Sequence, residues 1–173
     1  LHPPGLQKAE HVPGQLYNVF GGVVAVGDVG PVAEVEQILP GEELPDRPVV
    51  ITFDDGYTSN LEIGLPVLEK YGMKAAIYVI GCSVGKDTYK DTGQPMTPHF
   101  TLEQAQALMD SGWVDIGSHG YDIHEVEGRD PDPIRHGVLQ REGESEKDYI
   151  AFLQGDGARF REVVEPALGH GVD

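Results

Sequence analysis

The feature that most constrains this chain is the stretch Val49-Val50-Ile51-Thr52-Phe53-Asp54-Asp55-Gly56-Tyr57, an apolar run that ends on two adjacent carboxylates and a glycine. Val49 to Phe53 are β-branched or aromatic, follow Pro48 and show no polar alternation. Such a run predicts a buried strand of a parallel sheet. Asp54 and Asp55 then stand at its carboxyl end, where open α/β sheets and barrels place their ligands. Adjacent carboxylates repel, and a cation or a shared proton makes the pair useful. Gly56 permits the sharp turn that must follow. Taken alone, the dipeptide reads equally well as a turn aspartate and a helix-capping aspartate.

The same strand logic recurs downstream. Thr58-Ser59-Asn60 offer capping side chains, and Leu61, Leu65, Leu68 and Tyr71 repeat at helical spacing up to Gly72, with Pro66 marking a helix start or a kink. Lys74 to Ile80 reads as a second buried strand, which completes a βαβ unit. Gly81 to His99 is polar and turn-rich. Thr101 and Gln104 form a capping box for a helix whose inner face is Leu102, Ala105, Leu108 and Met109, stopping at Ser111-Gly112. Trp113 to Gly117 is a third short strand that delivers Ser118-His119-Gly120-Tyr121-Asp122-Ile123-His124. A last helix is expected from about Asp148 to Leu168, interrupted by Gly155 and Gly157.

Parallel strands bring their carboxyl ends together, so Asp55, His119 and His124 converge if this reading holds. One carboxylate and two imidazoles suit Zn²⁺ or a similar divalent ion with open positions for water. A pair of histidines at this spacing is by itself more often structural than ligating, and its place at a second strand end after an acidic pair at the first is what favours a metal site. His99 and His136 lie in loops that reach toward the sheet mouth without a motif around them and are read as structural. Tyr121 and Asp122 are read as shaping the turn, and Glu142 to Asp148 as solvated surface.

Composition narrows the partners. Twelve basic against 29 acidic residues among 173 give a net charge of -17, which argues against nucleic acid or an anionic membrane surface. A single cysteine, Cys82, excludes an internal disulfide and a thiolate zinc site and reads as a small core residue. No run approaches the roughly 18 apolar residues of a membrane helix, and the N-terminus lacks a basic-then-apolar signal pattern. Residues 1–45 are Gly/Pro-rich and predict loops, a short strand near Val23 to Val26 and a helical turn over Val32 to Leu39.

Thr52-Phe53-Asp54-Asp55-Gly56-Tyr57 resembles the first signature of the polysaccharide deacetylases, the NodB-homology domain of carbohydrate esterase family 4. Gly117-Ser118-His119 to His124 resembles the second. The segment Leu65 to Gly72 before a strand, and a helix ending Ser111-Gly112-Trp113 before the histidines, are similar too. This resemblance spans roughly residues 46–172. It implies an α/β fold of the distorted (β/α) barrel type, with 46–173 as its N-terminal part and the barrel incomplete at the C-terminal side. It further implies Asp54 as general base and Asp55, His119 and His124 as ligands of a divalent metal, Zn before Co, Ni or Mn. The implied reaction is hydrolysis of N-acetyl groups on an N-acetylhexosamine polysaccharide of chitin, peptidoglycan or exopolysaccharide type, in the cell envelope or outside the cell. A spacing of five between the histidines resembles the branch that acts on exopolysaccharide.

The family's later signatures are an aromatic-proline loop carrying the oxyanion donor, an acidic-tryptophan segment and a Leu-x-x-His carrying the general acid. They are expected beyond residue 173, so the chain is expected to be truncated before them and weakly active alone. His170 is read as the end of the last helix. Rival readings are a glycan-binding scaffold without catalysis, a hydrolase of O-acetyl esters or small ureides on the same fold, and a phosphoacceptor domain. The last would need a further acid or lysine where this chain has histidines.

Overall fold

A computed structural model describes residues 17–19, 22–24, 50–90 and 92–169. Strands β1 (Tyr17–Val19) and β2 (Gly22–Val24) form an antiparallel pair, which places the strand expected near Val23 slightly earlier in the chain. The helical turn expected over Val32 to Leu39, the first residue of the Val49 run and His170 lie outside the described residues.

The body of the fold is a three-stranded sheet of β3 (Thr52–Asp55), β4 (Ala75–Val79) and β5 (Val114–Ser118), parallel throughout and in sequential order. The first strand begins later than the apolar run suggests. Val50 is exposed, Ile51 is buried, and the carboxylates are the last two residues of β3 rather than the residues after it. Between β3 and β4 the chain makes a π-helical turn (Asn60–Gly64) and then α1 (Leu65–Tyr71). Pro66 falls in the first turn of α1, where its missing N–H is no loss. The capping role expected of Thr58-Ser59-Asn60 is not realised by Ser59, which makes no side-chain cap bond at the π-turn.

Helix α2 (Leu102–Asp110) carries the capping box read from sequence. The Thr101 hydroxyl accepts from the Gln104 amide at 3.1 Å, and the Gln104 side chain accepts from the Thr101 amide at 2.8 Å. Helix α3 (Glu146–Val163) starts two residues earlier than expected because Ser145 caps it, accepting from the Asp148 amide at 3.1 Å. It runs unbroken through Gly155 and Gly157. An interior glycine costs about 1 kcal/mol relative to alanine, and burial of Phe160 and Val164 beneath the sheet offsets this. Pro166 opens the short α4 (Glu165–Leu168), whose Leu168 is also buried.

The core lies on one face of the sheet. Ala75, Ile77 and Val79 of β4 and Val114 and Ile116 of β5 alternate toward it, as the two-residue period of a strand requires. Leu68, Phe100, Ala105, Leu108, Phe160, Val164 and Leu168 cover them from the helical side. On the opposite face the Tyr78 ring lies over Gly117, where a Cβ would sit 2.5 Å from the ring carbons.

Between His124 and α3 the chain folds around a buried arginine. Arg135 stacks on the Phe152 ring at 3.8 Å, forms a bidentate pair with Glu144 and donates to the Leu139 carbonyl at 2.9 Å. Glu144 is therefore a partner of a buried cation and not part of a solvated surface, unlike the exposed residues on either side of it. Arg141 closes the loop by donating to Glu125 at 2.9 Å.

Phe160 is 1 % exposed and pins α3 to the sheet. Phe160→Ala is expected to lower the unfolding free energy by about 3–5 kcal/mol, measured by urea denaturation, with the far-UV spectrum preserved below the transition.

Candidate functional site

The end of β3 is a three-residue turn. The Gly56 amide donates to the Asp54 carbonyl at 3.0 Å, and the residue between them, Asp55, has φ of 72°. Positive φ is uncommon outside glycine, and aspartate is among the side chains that tolerate it. Such strained backbone persists where surrounding contacts hold it. Those contacts are visible here. Gly56 also has positive φ (84°) and packs so closely that a Cβ would lie 2.8 Å from Val79, and its carbonyl accepts from Phe100 N at 3.1 Å.

The Asp55 carboxylate is oriented by its own motif. The Tyr57 hydroxyl donates to Asp55 Oδ2 at 2.7 Å, and burial, together with that bond, pushes the phenol up to about 12, so it remains a donor at physiological pH. His99 packs its ring against Tyr57, centroids 4.8 Å apart, and is buried. Burial holds its pKa below the ordinary imidazole value. Its role on this geometry is to seat Tyr57, in keeping with its structural reading.

His119 follows β5 directly, and its amide donates to the Val79 carbonyl at 2.9 Å. The loop that follows lies on the start of the segment after β4, with Gly81 N donating to the Gly120 carbonyl at 3.0 Å and Cys82 N to the Tyr121 carbonyl at 2.8 Å. Cys82 is partly exposed rather than a core residue. Its thiol lies 3.5 Å from Asp122 Oδ1, and burial with the Asp122 charge pushes it up to about 11, which keeps it protonated and unreactive. At the far end of the loop the Tyr89 hydroxyl, whose proton goes chiefly to Asp130, lies 3.2 Å from the His124 carbonyl. His124 also forms an isolated antiparallel bridge with His136.

These supports bring Asp55, His119 and His124 together, with one potential ligand atom from each lying within 4.8 Å of the others. His119 Nδ1 is 3.1 Å from Asp55 Oδ1, and the two imidazole rings are 4.4 Å apart at 48°. Donors on one tetrahedral zinc lie roughly 3.3–3.6 Å apart, and the Asp55–His119 separation of 3.1 Å is close to that. Burial, and then the neighbouring His119, lower the His124 pKa, which favours the neutral imidazole that a metal requires. His124 Nδ1 is buried and has no hydrogen-bond partner. The donor set therefore fits a borderline divalent ion. Asp54 stands one residue before Asp55 and is exposed, and its charge is felt at His124.

Two supporting groups carried no readable signal of their own in the sequence. Tyr57 lies inside the motif, yet nothing in its spacing shows that its hydroxyl turns back onto Asp55. Tyr89 belongs to the polar loop after β4, and only the fold shows that its hydroxyl reaches both His124 and Asp130. Asp122, read as shaping the turn, accepts from the Cys82 thiol at 3.5 Å and pairs with Lys90 at 3.0 Å.

A sequence model of the polysaccharide deacetylases matches residues 41–149. YxkH of Bacillus subtilis (strain 168), whose name assigns it provisionally to the polysaccharide deacetylases, is 39% identical over 99 residues, which is 57% of this chain and 32% of YxkH. Among solved structures, IcaB from Ammonifex degensii shares 27% identity at a TM-score of 0.59 over 76% of this chain and 50% of its own. A de-N-acetylase from Aggregatibacter actinomycetemcomitans shares the fold at a TM-score of 0.61 and 22% identity, over 76% of this chain and 54% of its own. This chain thus spans about a third of the curated relative and about half of these structures.

Asp130 underlies the Tyr89 support. Burial alone would raise its pKa, but hydrogen bonds from Lys90 Nζ at 2.5 Å, Tyr89 and Val126 N outweigh this and hold it below the ordinary carboxylate value. A lowered carboxyl pKa contributes stability that is complete above the unfolded-state value and is lost as pH falls through the folded one. Asp130→Asn is therefore expected to be less stable than wild type at pH 7, with the difference shrinking as urea midpoints are followed down through the carboxylate range.

Proposed function

Because this chain belongs to the polysaccharide deacetylase family, we propose that it carries the metal-binding half of the active site of a metal-dependent hydrolase that removes N-acetyl groups from an N-acetylhexosamine polysaccharide. The observation that supports this most directly is the convergence of Asp55, His119 and His124 within 4.8 Å at the carboxyl ends of β3 and β5. On this reading residues 46–173 are the N-terminal part of the deacetylase domain, preceded by the Gly/Pro-rich segment 1–45.

Asp55, His119 and His124 would hold the ion, and Zn²⁺ suits their chemistry best. When bound, such an ion supplies Lewis acidity and lowers the pKa of water at its open position. Asp54 is assigned as the general base. Its exposed carboxylate follows the backbone of the same strand to the same end of the sheet, and it takes a proton from the water that attacks the acetyl carbonyl. Tyr57 fixes Asp55 by occupying Oδ2, which leaves Oδ1 facing His119. The attack adds the water oxygen to the carbonyl carbon, and collapse breaks the C–N bond as the proton held by Asp54 passes to the leaving nitrogen, to give acetate and a free amine. One protein that shares this fold, at 22% identity, is named a de-N-acetylase.

Zinc content and affinity can be measured by chelator competition, and acetate release on N-acetylglucosamine oligomers. His119→Ala is expected to abolish stoichiometric zinc. Tyr57→Phe is expected to weaken zinc binding about 10–100-fold, the usual effect of losing a group that orients a ligand. Asp54→Asn is expected to retain zinc and to lower acetate release about 10²–10⁴-fold. Equal zinc in wild type and His119→Ala would refute the ligand assignment.

A further inference from the structure

The loop that carries both histidines is held from a helix that takes no part in the metal set. The Tyr121 amide donates to Asp156 Oδ2 and the Asp122 amide to Asp156 Oδ1, both at 2.7 Å. One carboxylate from the middle of α3 thus accepts two successive backbone N–H groups lying between His119 and His124. The loop is shaped to receive it. Gly120 has φ of 80°, and a Cβ there would sit 3.1 Å from Asp156 Oδ2 and 2.6 Å from Ile123. A side chain at position 120 would have to displace Ile123 and would crowd the carboxylate, in a backbone conformation that favours glycine.

A carboxylate is the group these two amides need. It is acceptor-only and offers an oxygen to each donor, and hydrogen bonds to an ionised acceptor are roughly twice as strong as neutral ones. An asparagine would accept from one amide and turn its own N–H groups toward the other. The Asp156 charge is also felt at His124, which links the clamp electrostatically to the ligand.

We infer that Asp156 is a positioning residue that sets the His119–His124 separation before any metal arrives, and that zinc affinity depends on it although it is not a ligand. This rests on the metal assignment above. Loss of a group that orients metal ligands typically costs 10–100-fold in affinity, and Asp156→Asn is expected to fall in that range.

The test is a Co²⁺ titration followed by d–d absorption, with Zn²⁺ competition, on wild type, Asp156→Asn and Glu162→Gln. The last removes a charge from the exposed side of the same helix, where Glu162 pairs with Arg159 at 2.7 Å. Wild type and Glu162→Gln should bind alike and Asp156→Asn 10–100-fold more weakly, with the metal-free urea midpoints showing that it remains folded. Equal affinity in Asp156→Asn would overturn the inference while leaving the ligand assignment intact. Absence of Co²⁺ and Zn²⁺ binding in wild type would overturn both. Amide hydrogen exchange in metal-free wild type gives a test that needs no variant. Tyr121 and Asp122 should be protected to about the level of β5, and free exchange that becomes protected only on adding metal would show that the ion, not Asp156, orders the loop.

Discussion

One peptide group holds this site together. The unit between Val79 and Ile80, where β4 ends, accepts from the His119 amide through the Val79 carbonyl at 2.9 Å and donates to the Asp55 carbonyl through Ile80 N at 3.4 Å. The parallel ladder puts Asp55 beside Val79 and Val79 beside Ser118. A shift of one residue in either pairing would turn every side chain of a strand to the other face. It would move Val79 and Ile77 out of the core as well as parting the carboxylate from the imidazoles. The register that buries the apolar face is thus the register that aligns the site, and core packing stabilises functional geometry through it.

Around that alignment the chain builds supports that are mostly polar. Tyr57 with His99 behind it fixes the carboxylate. Tyr89, itself tied to Asp130 and Lys90, lies against the carbonyl of His124. The Arg135–Glu144 pair, stacked on Phe152, gives the long segment after His124 a buried centre in place of an apolar core of its own. A buried ion pair contributes little net stability against a well-packed apolar alternative, yet removing one partner leaves an uncompensated charge. Such pairs therefore specify a loop's shape more than they stabilise it. The strain concentrated at Asp55 fits the same pattern, since a left-handed aspartate at a strand end persists only where neighbours over-determine it.

The elements legible in the sequence were those with a strong local signal. Thr101 and Gln104 announce α2 because both halves of a capping box lie within four residues, and the apolar runs before Gly81 and Gly117 announce β4 and β5. Where local signals compete with packing, the fold departs from them. Val50 reads as strand, yet it is exposed and β3 starts at Thr52, although the Ile51 carbonyl already accepts from Ala76 N at 2.9 Å. Gly155 and Gly157 looked like an interruption, and α3 continues through them because Phe160 and Val164 beyond are buried. Glu144 looked like surface because its partner, Arg135, gives no sign in the sequence of being buried.

The sequence by itself determined the chemistry available: an acidic pair closing one strand, two histidines closing another, and the family signature those residues compose. Residue type and spacing suffice for that, because hydrogen-bonding capacity and ligand softness belong to the side chain. Only the tertiary structure decided which donors meet, that Tyr57 and Tyr89 serve as supports, and that an aspartate in mid-helix clamps the histidine loop. These depend on contacts between residues far apart in the chain, and long-range contacts follow from strand register and helix docking, which no local pattern encodes.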